Sequence, residues 1–188
     1  MARPRAHDDA LRARLLDAAA TATAAHGPDG FSLRALARAA GTSTSAVYSL
    51  FGSREALVAA VAREAFRRLA EHLDAAPHTG EPGPDLLALG LAYRRFALDE
   101  PGFYRVMFEV APEHGHGAEE PTFAVLREAV ARVRPDDARE GALALWALVH
   151  GLVSLELAGL LPGGEPERAD RFRAALQHGG PALVASSP

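Results

Sequence analysis

Glycines divide residues 27–53 into two short amphipathic segments, and this spacing constrains the fold more than any other feature of the chain. Ser32 is suited to cap a helix over LRALARAA, which should end at Gly41. After a turn of two or three residues, Ser43 is placed to cap a second short helix that runs to Phe51. The sequence therefore predicts a helix-turn-helix.

The two predicted helices have inward apolar positions that fix their angle, namely Leu33, Leu36, Val47 and Phe51. The second helix should then expose small hydroxyl side chains, namely Thr42, Ser43, Thr44, Ser45 and Ser49. Side chains of this size let a helix enter a DNA major groove and bond to phosphates or base edges. Helix hairpins with a glycine turn also serve as simple packing units, so the hairpin alone leaves both interpretations open.

The composition favours helices along the whole chain. Alanine is the most frequent residue, leucine is the main large aliphatic residue, and no segment alternates as a strand does. We therefore expect an all-α protein. The absence of cysteine excludes disulfides, a thiol nucleophile and cysteine-ligated zinc or iron–sulfur sites. All 20 basic residues are arginine, which is typical of a GC-rich bacterial genome.

The chain shows one clear boundary, PHTGEPGP at residues 77–84, which holds three prolines and two glycines. We predict a helix-turn-helix domain at 1–53, a connecting helix at 54–76 and a C-terminal effector-binding and dimerisation domain at 77–188. The first helix should begin at Asp8 or Asp9 and end near Gly27. Further helices are expected near 85–99, 102–110, 121–134, 136–161 and 166–178, with a mobile loop at 111–120 and about eight frayed residues at the end.

The string FSLRALARAAGTSTSAVYSLFGSREALVAAV, residues 31–61, resembles the DNA-binding domain of TetR-family transcriptional regulators over nearly its full length. The match includes the Leu36-Ala37 pair, Gly41, the Val47-Tyr48 pair, Phe51 and the Ser-Arg-Glu-Ala-Leu that opens the next helix. The resemblance implies an N-terminal three-helix helix-turn-helix domain followed by a helical ligand-sensing and dimerisation domain. It also implies that Tyr48 and Arg54 bind DNA phosphates. The family more often has lysine at the latter position, and arginine keeps the charge.

Base readout should fall to hydroxyl side chains at the turn and along the second helix, namely Thr42, Thr44, Ser45 and Ser49, with Ser32 and Arg34 on the DNA backbone. This helix has no arginine, glutamine or asparagine for a bidentate base contact. Direct readout should therefore be modest, with shape or water-mediated contacts sharing the work. Arg3 and Arg5 fit either a flexible DNA-binding arm or a solvated terminus.

Charge is distributed unevenly between the two parts of the chain. Residues 1–68 carry ten arginines and six acids, whereas residues 69–188 carry ten arginines and eighteen acids. The basic part suggests an anionic partner for the N-terminus, although chance scatter gives the same pattern. A single helix-turn-helix contacts little DNA, so we expect a two-fold dimer on a palindromic operator, with recognition helices roughly 34–36 Å apart.

The segment GALALWALVHGLVSLELAGLL, residues 141–161, is long and apolar enough for a membrane span. His150, Ser154 and Glu156 inside it favour a helix buried on most sides by protein. Large residues form one seam, namely Leu143, Trp146, His150, Val153, Leu157 and Leu160. Small residues form a neighbouring stripe suited to a dimer interface, namely Ala144, Ala147, Gly151, Ser154 and Ala158. The spacing leaves open which face meets the partner.

The spacing of Trp146, His150 and Gly151 resembles the motif that names the WHG-type C-terminal domain of some TetR-family regulators, as does EPGFYRVMFE at residues 100–109. The resemblance implies ligand sensing and a four-helix bundle across the two-fold axis. Bulky residues are candidates to wall an effector pocket or simply to form the core, namely Tyr93, Phe96, Phe103, Tyr104, Met107, Phe108, Phe123, Trp146 and His150.

Taken together, these patterns predict a cytoplasmic homodimeric repressor that a small, mostly apolar effector releases from double-stranded DNA, with no cofactor. No signal peptide is evident, and no phosphate loop, nucleophile elbow or His-Glu-x-x-His pair indicates an enzyme. Two alternatives stay open. One is a DNA-binding dimer without a small effector, and the other is a metal-responsive regulator using His114 and His116 with nearby Glu113, Glu119 and Glu120.

Overall fold

The computed structural model describes residues 5–27, 30–109 and 121–184. Within these ranges it contains helices, one short 3-10 turn at Pro135–Asp137 and no strand, so the predicted all-α fold is confirmed. The helices are α1 (Arg5–His26), α2 (Leu33–Ala39), α3 (Thr44–Phe51), α4 (Arg54–Asp74), α5 (Pro82–Asp99), α6 (Pro101–Glu109), α7 (Pro121–Ala131), α8 (Ala138–Leu157) and α9 (Glu165–Val184). The predicted loop at 111–120 and the arm residue Arg3 lie outside the described residues, whereas Arg5, the other predicted arm residue, is the first residue of α1.

Several helix ends differ from the sequence prediction: α1 begins at Arg5, α5 begins at Pro82 and α7 ends at Ala131. α8 ends at Leu157, four residues early, because Gly159 adopts a left-handed φ of 70° and the Leu160 N–H donates to the Leu155 carbonyl at 3.0 Å. α9 continues through Pro181, so the predicted fraying of residues 181–184 is wrong. Val184 belongs to the buried core cluster, and this packing holds the last turn.

The described residues pack into two compact units that are not continuous along the chain. One takes the described residues of 1–68 and 100–116, and the other takes those of 69–99 and 117–188. The functional domain boundaries at 53/54 and 76/77 stay a prediction. The element that linear order does not anticipate is α6, which packs on α1 within the first unit.

Close packing explains why α6 joins α1. A Cβ on Gly102 would lie 2.5 Å from the carbonyl oxygen of Ala20, so only glycine permits this approach. The Arg105 guanidinium donates to the carbonyl of Ala24 at 2.6 Å, near the end of α1. The two helices are therefore held by both steric fit and a hydrogen bond.

Arg68 joins three helices of the first unit. Its guanidinium bonds to Glu64 on α4 at 2.8 Å, to Asp17 on α1 at 2.6 Å and to Glu100, next to α6, at 2.6 Å. It also lies 4.1 Å from the ring centroid of Phe103. Since one side chain reaches all three elements, Arg68 fixes α1, α4 and α6 relative to one another.

The second unit is a bundle of α5, α7, α8 and α9 around a buried cluster of Phe123, Val130, Ala142, Leu145 and Val184. Deep in it, Arg94 on α5 donates to both carboxylate oxygens of Glu156 on α8, at 2.8 and 2.7 Å. The Arg94 guanidinium holds the pKa of Glu156 below its usual range. The carboxylate that the sequence set within an apolar segment is thus paired with a buried cation.

Within a single chain α8 is buried on one face only, so packing inside one subunit does not account for the expected burial on most sides. Its core-facing residues are Ala142, Leu145, Val149, Val153 and Glu156. Of the predicted seam, Val153 is buried, but Leu143 and Leu157 are about two-fifths exposed and Leu160 lies beyond the helix. Pro135–Leu157 is the one stretch of the described chain long and apolar enough to cross a membrane, yet it packs in this bundle and carries the Glu156 ion pair.

Candidate nucleic-acid interface and ligand sites

The turn between α2 and α3 is closed by two backbone hydrogen bonds. Gly41 has a φ of 68°, its N–H donates to the carbonyl of Arg38 at 3.1 Å, and the Thr42 N–H donates to the carbonyl of Ala37 at 2.8 Å. These bonds form a Schellman motif, which ends one helix and sets the direction of the next segment. The geometry accounts for the glycine that the sequence analysis singled out.

Buried side chains then fix the angle between the two helices. Leu36 and Val47 are almost fully buried, whereas Leu33 and Phe51 are half-buried. The Phe51 ring lies 4.7 Å from the guanidinium carbon of Arg12 on α1. The predicted packing is therefore confirmed at Leu36 and Val47, with Leu33 and Phe51 at its edge.

The predicted DNA-binding residues of α3 share the side of the helix away from Val47. Tyr48 is 53% exposed, Ser45 and Ser49 are exposed, and Thr44 is half-buried. At about 100° per residue, these four positions span about 140° of the helix circumference. This accessible surface, rich in hydroxyl groups, has the size and chemistry to enter a major groove.

Two predicted cap residues behave differently. The Ser43 hydroxyl oxygen accepts from the Ala46 N–H at 3.2 Å, so it caps α3 as predicted. Ser32 occupies the N-cap position of α2, but its side chain makes no capping bond, so that part of the prediction is wrong. Ser32 is exposed instead, and Thr42, in the turn, is half-buried.

The arginines near this surface have distinct surroundings. Arg34 is exposed on α2, and Arg38, which the sequence analysis did not select, is exposed four residues later on the same face. Arg54 donates to the carbonyl of Phe31 at 2.8 Å and lies 4.3 Å from the centroid of its ring. These contacts orient Arg54, and its binding to phosphate stays a prediction.

The nine candidate pocket residues are divided between the two units. The first unit contains Phe103, Tyr104, Met107 and Phe108. The ring centroids of Tyr104 and Phe108 lie 5.0 Å apart. The second unit contains Tyr93, Phe96, Phe123, Trp146 and His150. Phe96 is fully buried, with its ring against His72.

Four residues of the second unit come together as a contact chain. The Tyr93 hydroxyl lies 3.2 Å from His150 Nδ1, and the Trp146 ring contacts the rings of His150 and Phe123. Burial lowers the pKa of His150, which favours the neutral imidazole. Phe123 is part of the packed core, with Trp146 against it. These contacts are expected of residues that pack the core and also of residues that line a pocket.

A cleft of about 610 Å³ lies elsewhere in the second unit, away from the residues predicted to wall a pocket. Its apolar walls come from the end of α4, the following linker, α5 and α7. The residues that line it are Leu73, Asp74, Ala76, Pro77, His78, Asp85, Leu89, Val125, Glu128, Ala129 and Arg132. The only sequence signal was the proline-rich linker, which separates α4 from α5.

The predicted dimer stripe lies on the outward part of α8. Ala147 and Ala158 are exposed, Ala144, Gly151 and Ser154 are half-buried, and a Cβ built on Gly151 meets no other atom within 4 Å. Leu143 and Leu155 extend this apolar surface. The metal ligands of the alternative prediction lie outside the described residues, namely Glu113, His114, His116, Glu119 and Glu120. Within the described residues, no three His, Asp or Glu side chains are grouped so that they could hold a metal ion.

Comparisons with known proteins identify the same two parts of the chain. Residues 15–61 match the family described as "Bacterial regulatory proteins, tetR family", and residues 86–178 match "Tetracyclin repressor-like, C-terminal domain". The predicted WHG subtype is not what this second match names, and it stays a prediction. A search of curated proteins found no match.

Solved structures are similar over nearly the whole chain. The regulatory protein SCO4313 is 30% identical with a TM-score of 0.76, covering 95% of this chain and 98% of its own. A protein of unknown function from Rhodococcus sp. RHA1 is 28% identical, with a TM-score of 0.72 and coverages of 94% and 96%. The TetR family transcriptional regulator PfmR from Thermus thermophilus is 21% identical with a TM-score of 0.70, covering 91% and 97%, and supports the fold alone.

The fold and the exposed surface of α3 define a helix-turn-helix DNA-binding protein of the transcriptional-regulator class. The chain belongs to the TetR family. Regulators of this family bind DNA and typically form dimers, and they are not enzymes.

Proposed function

We propose that the protein is a cytoplasmic homodimeric repressor that binds a palindromic operator and leaves it when a small, mostly apolar effector binds. The observation that carries the DNA-binding part is the accessible surface of α3, where Tyr48 is 53% exposed beside exposed serines. Arg34 and Arg38 on α2 add positive charge to the same helix-turn-helix. Hydroxyl groups and arginines are among the side chains that bind DNA phosphates.

The proposed dimer interface is the outward face of α8. At about 100° per residue, Leu143, Ala147, Gly151 and Leu155 fall within about 120° of the helix, on the side away from Leu145. This face is apolar and partly exposed, and its small residues permit close approach of a second helix. A two-fold axis would then place two recognition helices on successive half-sites.

The proposed effector response needs a ligand that binds one arrangement of the recognition helices more tightly than the other. Within the second unit, the contact chain of Tyr93, His150 and Trp146 supplies apolar surface with two polar groups. Replacing Trp146 by alanine should weaken the effector response more than folding. If these residues only pack the core, the Trp146→Ala variant should unfold instead.

Fluorescence anisotropy with labelled DNA tests the proposal. The first probe is the DNA just upstream of the gene that encodes this protein. If the operator lies elsewhere, random-site selection supplies a second DNA probe. We expect sequence-specific binding with log Kd rising by about 0.9 per contacted phosphate as log salt rises. A single asymmetric half-site bound by a monomer, or no selected sequence, would contradict it.

Matched arginine variants make the test specific. Arg34→Ala should weaken operator binding and reduce the salt slope by about 1, because one phosphate contact is lost. Arg63→Ala is the control, since Arg63 is an exposed arginine on α4, about 13 Å along the helix axis from Arg54. Equal loss in both variants would show general electrostatics rather than the proposed surface.

A further inference from the structure

α7 has two faces with different surroundings. Phe123, Leu126 and Val130 pack into the core cluster of the second unit. Val125 and Ala129, on the other side of the helix, line the cleft of about 610 Å³. The cleft is therefore separated by α7 from the Phe123–Trp146 contact that was predicted to wall an effector pocket. Its volume is in the range of small-molecule sites, roughly 300–1,000 Å³.

The floor and walls of the cleft are apolar and incompletely covered. Leu73, Ala76, Leu89, Val125 and Ala129 line it, and each is only half-buried. Half-buried aliphatic surface inside a concave site is surface that a ligand with an apolar body can remove from water. The walls thus favour a hydrophobic ligand body.

One end of the cleft is closed by a saturated carboxylate. Asp85 is only 4% exposed, and it accepts hydrogen bonds from the Thr79 N–H at 2.7 Å and the Thr79 hydroxyl at 2.8 Å. Its carboxylate also accepts from the Arg132 guanidinium at 3.0 Å and lies 2.8 Å from Nδ1 of His78. The Thr79 N–H, with these partners, holds the pKa of Asp85 well below its usual range. Arg132 also donates to the Gly80 carbonyl at 2.6 Å, so its charge is engaged at this end.

The rim carries two further carboxylates, Asp74 and Glu128, and both are exposed. No ion pair joins either of them to another residue in the part of the chain that the structure describes. With Arg132 compensated by Asp85, the open part of the cleft is apolar and negatively charged. That combination selects a cation with a hydrophobic body over a neutral or anionic compound.

We propose that this cleft binds an amphipathic organic cation, with the apolar body on the α5–α7 wall and the protonated amine between Asp74 and Glu128. Its role as an effector site, distinct from the contact chain of Tyr93, His150 and Trp146, rests on the proposed function, whereas ligand binding itself does not. The amine would exchange part of its hydration for two carboxylate contacts, and the body would cover the half-buried aliphatic residues.

Three probes with one body and different charges test the selectivity. Isothermal titration calorimetry of the full-length protein uses 4-phenylbutylamine, 4-phenylbutanol and 4-phenylbutanoate. We expect the amine to bind about tenfold more tightly than the alcohol and the carboxylate to bind weakest, since two exposed charge contacts together give a modest gain in affinity. Equal binding of the three probes, or no binding of the amine, overturns the proposal.

Two variants locate the binding. Ala129→Phe fills the cleft from a half-buried helix position and should abolish amine binding. Asp74→Asn with Glu128→Gln should weaken amine binding about tenfold and leave the alcohol unchanged. The control, Glu140→Gln with Glu167→Gln, removes two exposed carboxylates elsewhere and should leave all three affinities unchanged. Amine binding that survives Ala129→Phe, or falls equally in the control, overturns the site.

Operator binding measured in parallel separates this inference from the proposed function. DNA binding without amine binding would refute the cleft site and leave the regulator proposal intact. Amine binding without DNA binding would refute the regulator proposal and leave the cleft site intact. Amine binding that does not change operator affinity would retain the ligand site and refute its role as an effector site.

Discussion

The buried pair of Arg94 and Glu156 gives the strongest stability prediction. Their side chains are 9% and 4% exposed, and two hydrogen bonds of 2.8 and 2.7 Å join them. Removing one partner from a buried pair leaves an uncompensated charge, which typically costs about 3–5 kcal/mol. Here Arg168 still lies 3.2 Å from Glu156, so we expect Arg94→Met to cost about 2–3 kcal/mol of unfolding free energy.

The double variant separates the charge effect from packing. Arg94→Met with Glu156→Leu replaces the pair by apolar side chains of similar size, and such replacements are often nearly neutral. We expect it to lie within about 1 kcal/mol of the original protein, so the coupling between the two sites should exceed about 2 kcal/mol. Arg173→Met, an exposed arginine on α9, is the control and should change stability by less than about 0.5 kcal/mol.

Urea unfolding at one fixed protein concentration measures these differences, because dimerisation would otherwise shift the apparent stability. The pair also predicts a pH dependence. Since Arg94 lowers the pKa of Glu156, its contribution is present above the ordinary glutamate pKa of about 4.3 and is lost as pH falls through the lower folded-state value. The deficit of Glu156→Gln should therefore shrink at acid pH. Additive single costs, or a deficit independent of pH, would refute the reasoning.

Two further predictions concern the turn and the dimer. Gly41→Ala should destabilise the helix-turn-helix by about 1–2 kcal/mol, because an alanine at a φ of 68° brings its Cβ too close to the backbone. Thermal unfolding followed by circular dichroism measures this loss, and an unchanged unfolding midpoint would contradict the prediction. Ala147→Glu on the outward face of α8 should raise the dimer dissociation constant at least about hundredfold, because like charges would meet across the two-fold axis. Sedimentation measures this, with the exposed Arg127→Glu on α7 as control, and a dimer unaffected by Ala147→Glu would place the interface elsewhere.

Local sequence signals were sufficient for the turn and the second helix of the helix-turn-helix, whereas the predicted Ser32 cap of α2 does not form. Gly41 was identified as a turn residue because a left-handed cap favours glycine, and the Schellman bonds around it bear this out. Ser43 was identified as a cap from its position before an apolar run, and its hydroxyl accepts the expected bond. Such features depend on residues fewer than six positions apart, so the chain itself specifies them.

Contacts between distant residues were beyond the same reasoning. Gly102 reads as a helix residue after a proline, yet it fits against the backbone of Ala20 and brings α6 into the first unit. The cleft also needs three helices and a linker to be placed before it exists. Gly102 leaves no local pattern, because Ala20 lies tens of residues away, and the proline-rich linker alone does not predict the cleft, because α7 lies tens of residues further along the chain.

The face of α8 shows why a periodic pattern can be found correctly and assigned to the wrong surroundings. The seam of Leu143, Trp146 and Leu157 has true helical spacing, but the core lies about a quarter turn away, on Leu145 and Val149. Apolar residues occur all round this helix, so hydrophobicity cannot choose the buried side. Glu156 chooses it, because a carboxylate among apolar residues needs a buried cation, and Arg94 on α5 is that cation. An acid inside an apolar helix is therefore informative about the core face whenever a neighbouring helix carries an arginine.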